Sequence, residues 1–351
     1  MLKLIDLLFF GFLLLCMFDI QLRSVKHGVQ DDAFGLQQTT ALRGALCILI
    51  LFHHASLLIG SGLSVCVLKR VGAYVVGLFY ALSGYGLMAS WKKNGLRGFW
   101  RKRFCGTILP YLILSAAALA TRLLVGEGLR PRAVLLSFVN GKPLIRYSWF
   151  ILTILVYYVF FWLAALLAKK DPALLFALSG FFTFFSVFAL QKLGFEEYWY
   201  NAAWGFPLGM LWQHRQQAIA AVFRRRPQIY LALSGVVTLW WIAIAEHFYW
   251  FGYLSRICAT LSVCVFVFLL MFRLQSRNRI LQFLGSISME VYLIHGLVVT
   301  VLVRFLSPVG QPALFLLLLF PATILLAWLF HLGYSTVVCK KRPAQSRSSQ
   351  L

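Results

Sequence analysis

One apolar stretch of the chain holds two ionisable side chains, Arg43 and His54, eleven residues apart. At about 100° per helical residue, eleven steps return to within about 20° of the starting face. At about 1.5 Å per residue they also advance about 16 Å along the axis, roughly half the thickness of a bilayer core. A helix here puts a guanidinium near one membrane face and an imidazole near the midplane, both pointing the same way. Histidine exchanges a proton near neutral pH, and arginine holds phosphate or carboxylate. Ionisable groups at that depth are costly and usually functional. His53, one residue earlier, points elsewhere and is expected to be structural.

Composition says what must position this pair. The 351 residues are 61% hydrophobic and only 12% charged, with a mean hydropathy of +0.82. A soluble domain carries about 25% charge. Apolar runs of bilayer length recur from end to end, without the alternating ten-residue segments of a barrel. The fold class expected is an all-α, polytopic transmembrane helical bundle. Eleven spans are read, at about 4–20, 40–60, 71–90, 105–125, 148–168, 173–191, 199–213, 228–247, 252–272, 281–303 and 313–336. The seventh is short and holds Gly205, Pro207 and Gly209, so it reads as broken or tilted. The first, with Asp6 and Asp19 and no small-residue cleavage site, reads as an extra N-terminal span rather than a signal peptide. Residues 1–38 therefore form an N-terminal hydrophobic segment and loop, 39–338 one membrane domain, and 339–351 a basic tail.

The net charge of +23 lies between the spans, which points to topology and anionic lipid headgroups rather than nucleic acid. Alternate loops hold 21 of the basic residues, against 11 on the other side. Positive loops face the cytoplasm, so the C-terminus is expected inside and the N-terminus outside. The seven cysteines are scattered, with no disulfide framework and no metal-ligand spacing. No metal and no permanently bound cofactor is expected.

Other polar constellations are few. Ser288, Tyr292 and His295 fall at i, i+4 and i+7 and share one helix face. Such a stripe faces the bundle interior, either as hydrogen-bonding glue or as part of a site. Glu290 lies off that face and is placed to pair with a loop arginine. Ser83-Gly84 fits close helix packing, His331, His247 and Glu246 read as structural, and His27-x4-Asp32 is a spacing that chance supplies easily.

Four stretches taken in order resemble the acyltransferase-3 family of integral-membrane O-acyltransferases. Arg43 and His54 match its Arg-x10-His helix. Phe79-Tyr80-Ala81-Leu82-Ser83-Gly84 is similar to its Phe-x-x-x-Ser-Gly helix, and Trp149-Phe150-Ile151-Leu152 to its Trp-Phe/Tyr-x-Leu start. Gly285 to His295 resembles its late Gly-x-x-Ser-x-x-x-Tyr-Leu-x-His signature. The resemblance implies about ten core helices in a bacterial-type cell membrane. It implies transfer of an acyl group, often acetyl, from cytoplasmic acyl-CoA as co-substrate to a hydroxyl of a glycan or lipid-linked sugar. An alcohol near neutral pH needs a base during attack, and the resemblance gives that role to His54, with Glu290, Tyr292 and His295 as further catalytic candidates. Arg43, Arg101, Lys102 and Arg103 are then the candidates for the donor's phosphates, and Ser83, Trp149 and Ser288 for substrate contact. One departure stands out: where the family's basic loop carries a second arginine three residues before the proline, this chain has Thr107 before Pro110. The alternative from another class is a transporter or exporter of a small polar solute, suggested by the short seventh span, although no internal repeat is visible.

Overall fold

Runs of about twenty apolar residues with no backbone partners outside themselves satisfy their N–H and C=O groups only as helices. The computed structural model describes residues 3–22, 31–124, 126, 142–248 and 252–338. Its helices are α1 (Leu4–Met17), α2 (Leu36–Ile59), the single turn α3 (Val65–Leu68), α4 (Gly72–Asn94), α5 (Phe99–Arg103), α6 (Leu109–Leu124), α7 (Trp149–Ala168), α8 (Pro172–Lys192), α9 (Gly205–Arg225), α10 (Pro227–Ala243), α11 (Tyr253–Arg273), α12 (Arg279–Ser286), α13 (Ser288–Phe305) and α14 (Pro312–Val338). Among the described residues, 9 helices are long and apolar enough to cross a membrane. The chain is an all-α, multi-pass membrane bundle. Arg23, Lys26, His27 and the tail 339–351 lie outside the described residues.

The helix α1 has 14 residues, fewer than a lone span needs. Its two ends nevertheless meet opposite ends of α2. The Asp6 carboxylate accepts from Ser64 N at 2.8 Å and Ser64 Oγ at 2.6 Å, just beyond the end of α2. At the other end the Leu15 carbonyl accepts from Asn278 Nδ2 at 2.7 Å. Close to that point, the Gln38 side chain at the start of α2 clasps the Ser276 backbone at 3.0 and 3.1 Å. Between them lies a short antiparallel pair, β1 (Ile20–Leu22) against β2 (Leu274–Ser276), in a segment read from sequence as loop.

The eleven spans expected become nine among the described residues: α1 is too short, and in place of the span at 199–213 there is turn at 200–204 followed by α9, a continuous 21-residue helix from Gly205 that is not apolar enough to be counted. Pro207 sits in its first turn, where no intrahelical N–H is missed. Gly209 lies against α4, and a Cβ there would come within 1.9 Å of the Ala81 carbonyl. The polar run Gln213 to Gln217 in the middle of α9 lowers its hydropathy, which is why its apolar part looked short. The expected span 281–303 is two helices, broken at Ile287 between α12 and α13. Gly285, just before the break, touches α2: a Cβ there would meet the Thr40 carbonyl at 1.8 Å. The glycine of the late signature thus brings α12 onto the helix that carries Arg43 and His54.

Candidate functional site

Two cavities lie along α2, one beside each ionisable residue. The first, of about 570 Å³, is lined by His53, His54, Tyr147, Trp149, Asn201 and Tyr292 among others. The second, of about 410 Å³, is lined by Arg43, Ser83, Arg103, Thr107, Tyr158, Ser288 and Tyr292 among others. Tyr292 borders both. The eleven-residue register therefore places Arg43 and His54 in separate chambers with a tyrosine between them.

His54 is buried. Its Nδ1 lies 2.8 Å from Nε2 of His295, which is fully buried on α13. One of the two nitrogens must donate. The other ring nitrogen of His295, Nδ1, is buried. That nitrogen has no well-formed partner of its own. In the tautomer where His54 Nδ1–H donates, His295 Nε2 accepts and the His295 ring proton sits at Nδ1. His54 Nε2 is then the nitrogen with a free lone pair.

The Tyr147 ring lies flat on His54, with centroids 4.0 Å apart and planes 6° apart. This stacking depends on an unusual backbone, since Tyr147 has φ +67°. Non-glycine residues adopt that region only when their surroundings impose it. Two contacts from α13 do so: Tyr292 Oη donates to the Tyr147 carbonyl at 2.5 Å, and Gly296 admits the Arg146 carbonyl to a place where a Cβ would be 2.1 Å away. The Arg146 guanidinium lies over the same tyrosine ring at 5.2 Å. Tyr147 was not singled out from sequence as a site residue, and its only signal there is its position two residues before Trp149.

His53 also borders the first cavity. Its Nδ1 donates to the Leu68 carbonyl at 2.9 Å, tying α3 to α2.

The second cavity is basic. Arg43 and Arg103 both line it, and among the described residues no carboxylate does. Arg103 lies over Phe99 at 4.8 Å and Tyr158 at 5.3 Å, and its Nε is buried with no hydrogen-bond partner. A π-helical stretch, Phe104–Ile108, follows it directly, and Thr107 from that stretch lines the same wall. Two guanidiniums side by side have the chemistry to hold a polyanion such as a phosphate chain.

The structure divides the other predicted site residues. Ser83 and Ser288 line the arginine chamber, although Ser288 Oγ also donates to the Gly285 carbonyl at 2.9 Å. Trp149 lines the histidine chamber. Arg101 and Lys102 are exposed and line neither. Glu290 reaches neither chamber: it pairs not with a loop arginine but with His331 on α14, at 2.6 Å. Lys69, Arg70, Tyr198, Asn201, Glu246 and Arg256, none expected as site residues, also line the histidine chamber.

Compared with known families, residues 38–332 match the model of the acyltransferase-3 family, described as an acyltransferase domain. No curated protein and no solved structure matches the chain.

Proposed function

The chain belongs to the acyltransferase-3 family and is a membrane acyltransferase, and we propose that it moves an acyl group, acetyl being the simplest, from cytoplasmic acyl-CoA to a glycan or lipid-linked sugar hydroxyl. The observation that carries this reading is the pair of chambers meeting at Tyr292. One has two unopposed arginines, and the other a histidine whose Nδ1 is already engaged.

The donor's phosphates bind Arg43 and Arg103, and its thioester extends past Tyr292 toward His54. The acceptor hydroxyl enters the histidine chamber and attacks the acyl carbon. His54 Nε2 takes its proton as the new C–O bond forms. The C–S bond then breaks, and the proton passes from His54 to the departing thiolate, so CoA leaves as the free thiol. His295 accepts from Nδ1–H throughout and keeps the imidazole in the tautomer that can act as a base. In this scheme Arg101 and Lys102 act only as a long-range positive field at the cytoplasmic mouth. The excess of basic residues in alternate loops supports a cytoplasmic C-terminus.

The test is acetyl-CoA consumption by the purified protein in detergent, read as free thiol. The wild type should release thiol slowly without acceptor, and His54→Ala should lose that release while remaining folded. Full activity in a folded His54→Ala protein refutes the assignment. The transporter alternative drew on a short broken span at 199–213; there residues 200–204 are turn and 205–213 open the continuous helix α9.

A further inference from the structure

The histidine chamber is not charged like a site for a neutral sugar. Lys69, Arg70 and Arg256 line it, against one carboxylate, Glu246. That carboxylate is already engaged, by Arg70 at 3.6 Å and by Tyr74 Oη at 2.9 Å. Arg256 is likewise engaged, by Glu197 at 3.1 Å. Lys69 has no carboxylate of its own among the described residues that line the chamber.

A second feature of the same chamber is independent of charge. Trp149 and Tyr198 both line it, with ring centroids 5.4 Å apart, offering aromatic faces of the kind that pack against the C–H face of a pyranose.

We propose that the acceptor is an anionic sugar, a glycosyl unit bearing a carboxylate or a phosphate. Its ring packs on Trp149 and Tyr198, one hydroxyl faces His54, and its acid group meets Lys69, the lining cation left without an ion pair among the described residues. The proposal rests on the reading of His54 as the base of a transfer to a hydroxyl. It adds the charge of the acceptor, which nothing in that chemistry requires.

The experiment uses the full-length protein in detergent with acetyl-CoA and three soluble acceptors: methyl glucoside, glucuronic acid and glucose 1-phosphate. The readout is kcat/KM for acceptor-stimulated thiol release. The anionic acceptors are expected to exceed the neutral one by about tenfold or more, the gain of one charge-assisted contact. A preference for glucuronic acid identifies a carboxylate acceptor, and one for glucose 1-phosphate identifies a phosphate. Lys69→Glu, and separately Lys69→Gln, should shrink the anionic-to-neutral ratio, with the larger effect in the charge reversal. Equal kcat/KM for all three acceptors overturns the proposal without any variant. So does a Lys69→Glu protein that loses all three acceptors in proportion, since that is the signature of a lipid-headgroup or folding role. Absence of thiol release from the wild type overturns the transfer reading itself, and this inference with it.

Discussion

Removing the partner of His54 tests the chemistry more sharply than removing His54. In His295→Leu the volume is nearly kept but the acceptor 2.8 Å from His54 Nδ1 is gone. The His54 Nδ1–H is then buried and unpaired, a penalty of about 1–3 kcal/mol. The ring avoids it by moving its proton to Nε2, the tautomer that cannot accept the substrate proton. At about 1.4 kcal/mol per decade, the population of the working tautomer falls about ten- to hundredfold, and kcat with it. The ring itself should stay in place, because Tyr147 still lies flat on it at 4.0 Å, a contact worth about 0.5–1.5 kcal/mol. The loss should therefore be smaller than for His54→Ala, where a general base worth about 10²–10⁴ is gone. His295→Gln offers an amide oxygen at similar reach and should recover most of the rate. The assay is steady-state thiol release at saturating acetyl-CoA, with KM for the donor measured alongside and a thermal melt to establish folding. Wild-type kcat in a folded His295→Leu protein would falsify the assignment of His295 as the group that orients the base. A leucine variant that lowers only donor affinity would do the same.

Arg43→Ala should raise KM for acetyl-CoA by about ten- to hundredfold with a smaller change in kcat, as expected for loss of one charge-assisted phosphate contact of about 1.5–3 kcal/mol. CoA should raise the melting temperature of the wild type and fail to do so in the Arg43→Ala, Arg103→Ala double variant. Glu290→Gln should keep kcat and KM within a few-fold, because its partner is His331 on the far side of α13; a loss of a hundredfold or more in a folded variant would return Glu290 to the catalytic set. Gly296→Ala forces a methyl to within 2.1 Å of the Arg146 carbonyl, so kcat should fall through displaced Tyr147 together with about 1–3 kcal/mol of stability, read by thiol release and melting. Asp6→Ala strands Ser64 N and Oγ at 2.8 and 2.6 Å, and should lower the melting temperature with little effect on KM for acetyl-CoA.

The parts of this architecture that follow a helical period were legible in the chain. Arg43 and His54 share a face because eleven residues make three turns, and Ser288, Tyr292 and His295 share one for the same reason. The partnership between the two faces was not legible, because His54 and His295 are 241 residues apart and which nitrogens meet is decided by how α13 packs on α2. Tyr147 was hidden for another reason: its place on His54 depends on a positive φ that glutamine, serine or any other residue there would equally need imposed by Gly296 and Tyr292. Hydropathy misjudged α9, since a helix buried on one side by Gly209 against Ala81 can carry Gln213 to Gln217 without meeting lipid along its whole length. Glu290 illustrates the converse: its angle on the helix was right, but only the fold shows that a histidine waits there.

The charges inside the bundle divide into two kinds, and the division carries functional information. Among the described residues, Asp6 is held by Ser64, Glu246 by Arg70 and Tyr74, and Glu290 by His331. Those acids meet the general requirement that a charge removed from water be paired or hydrogen-bonded. Arg43 and Arg103 face a cavity without a carboxylate, and the aromatic faces of Phe99 and Tyr158 beside Arg103 offset only a part of its desolvation. A bundle selected for stability alone has no reason to keep two such arginines around one void of about 410 Å³, since an apolar side chain would fill it at lower cost. Their retention is explained if the missing counter-charge arrives with a ligand, and the phosphates of the proposed donor would supply it, with Tyr292 bordering both that chamber and the one that holds His54.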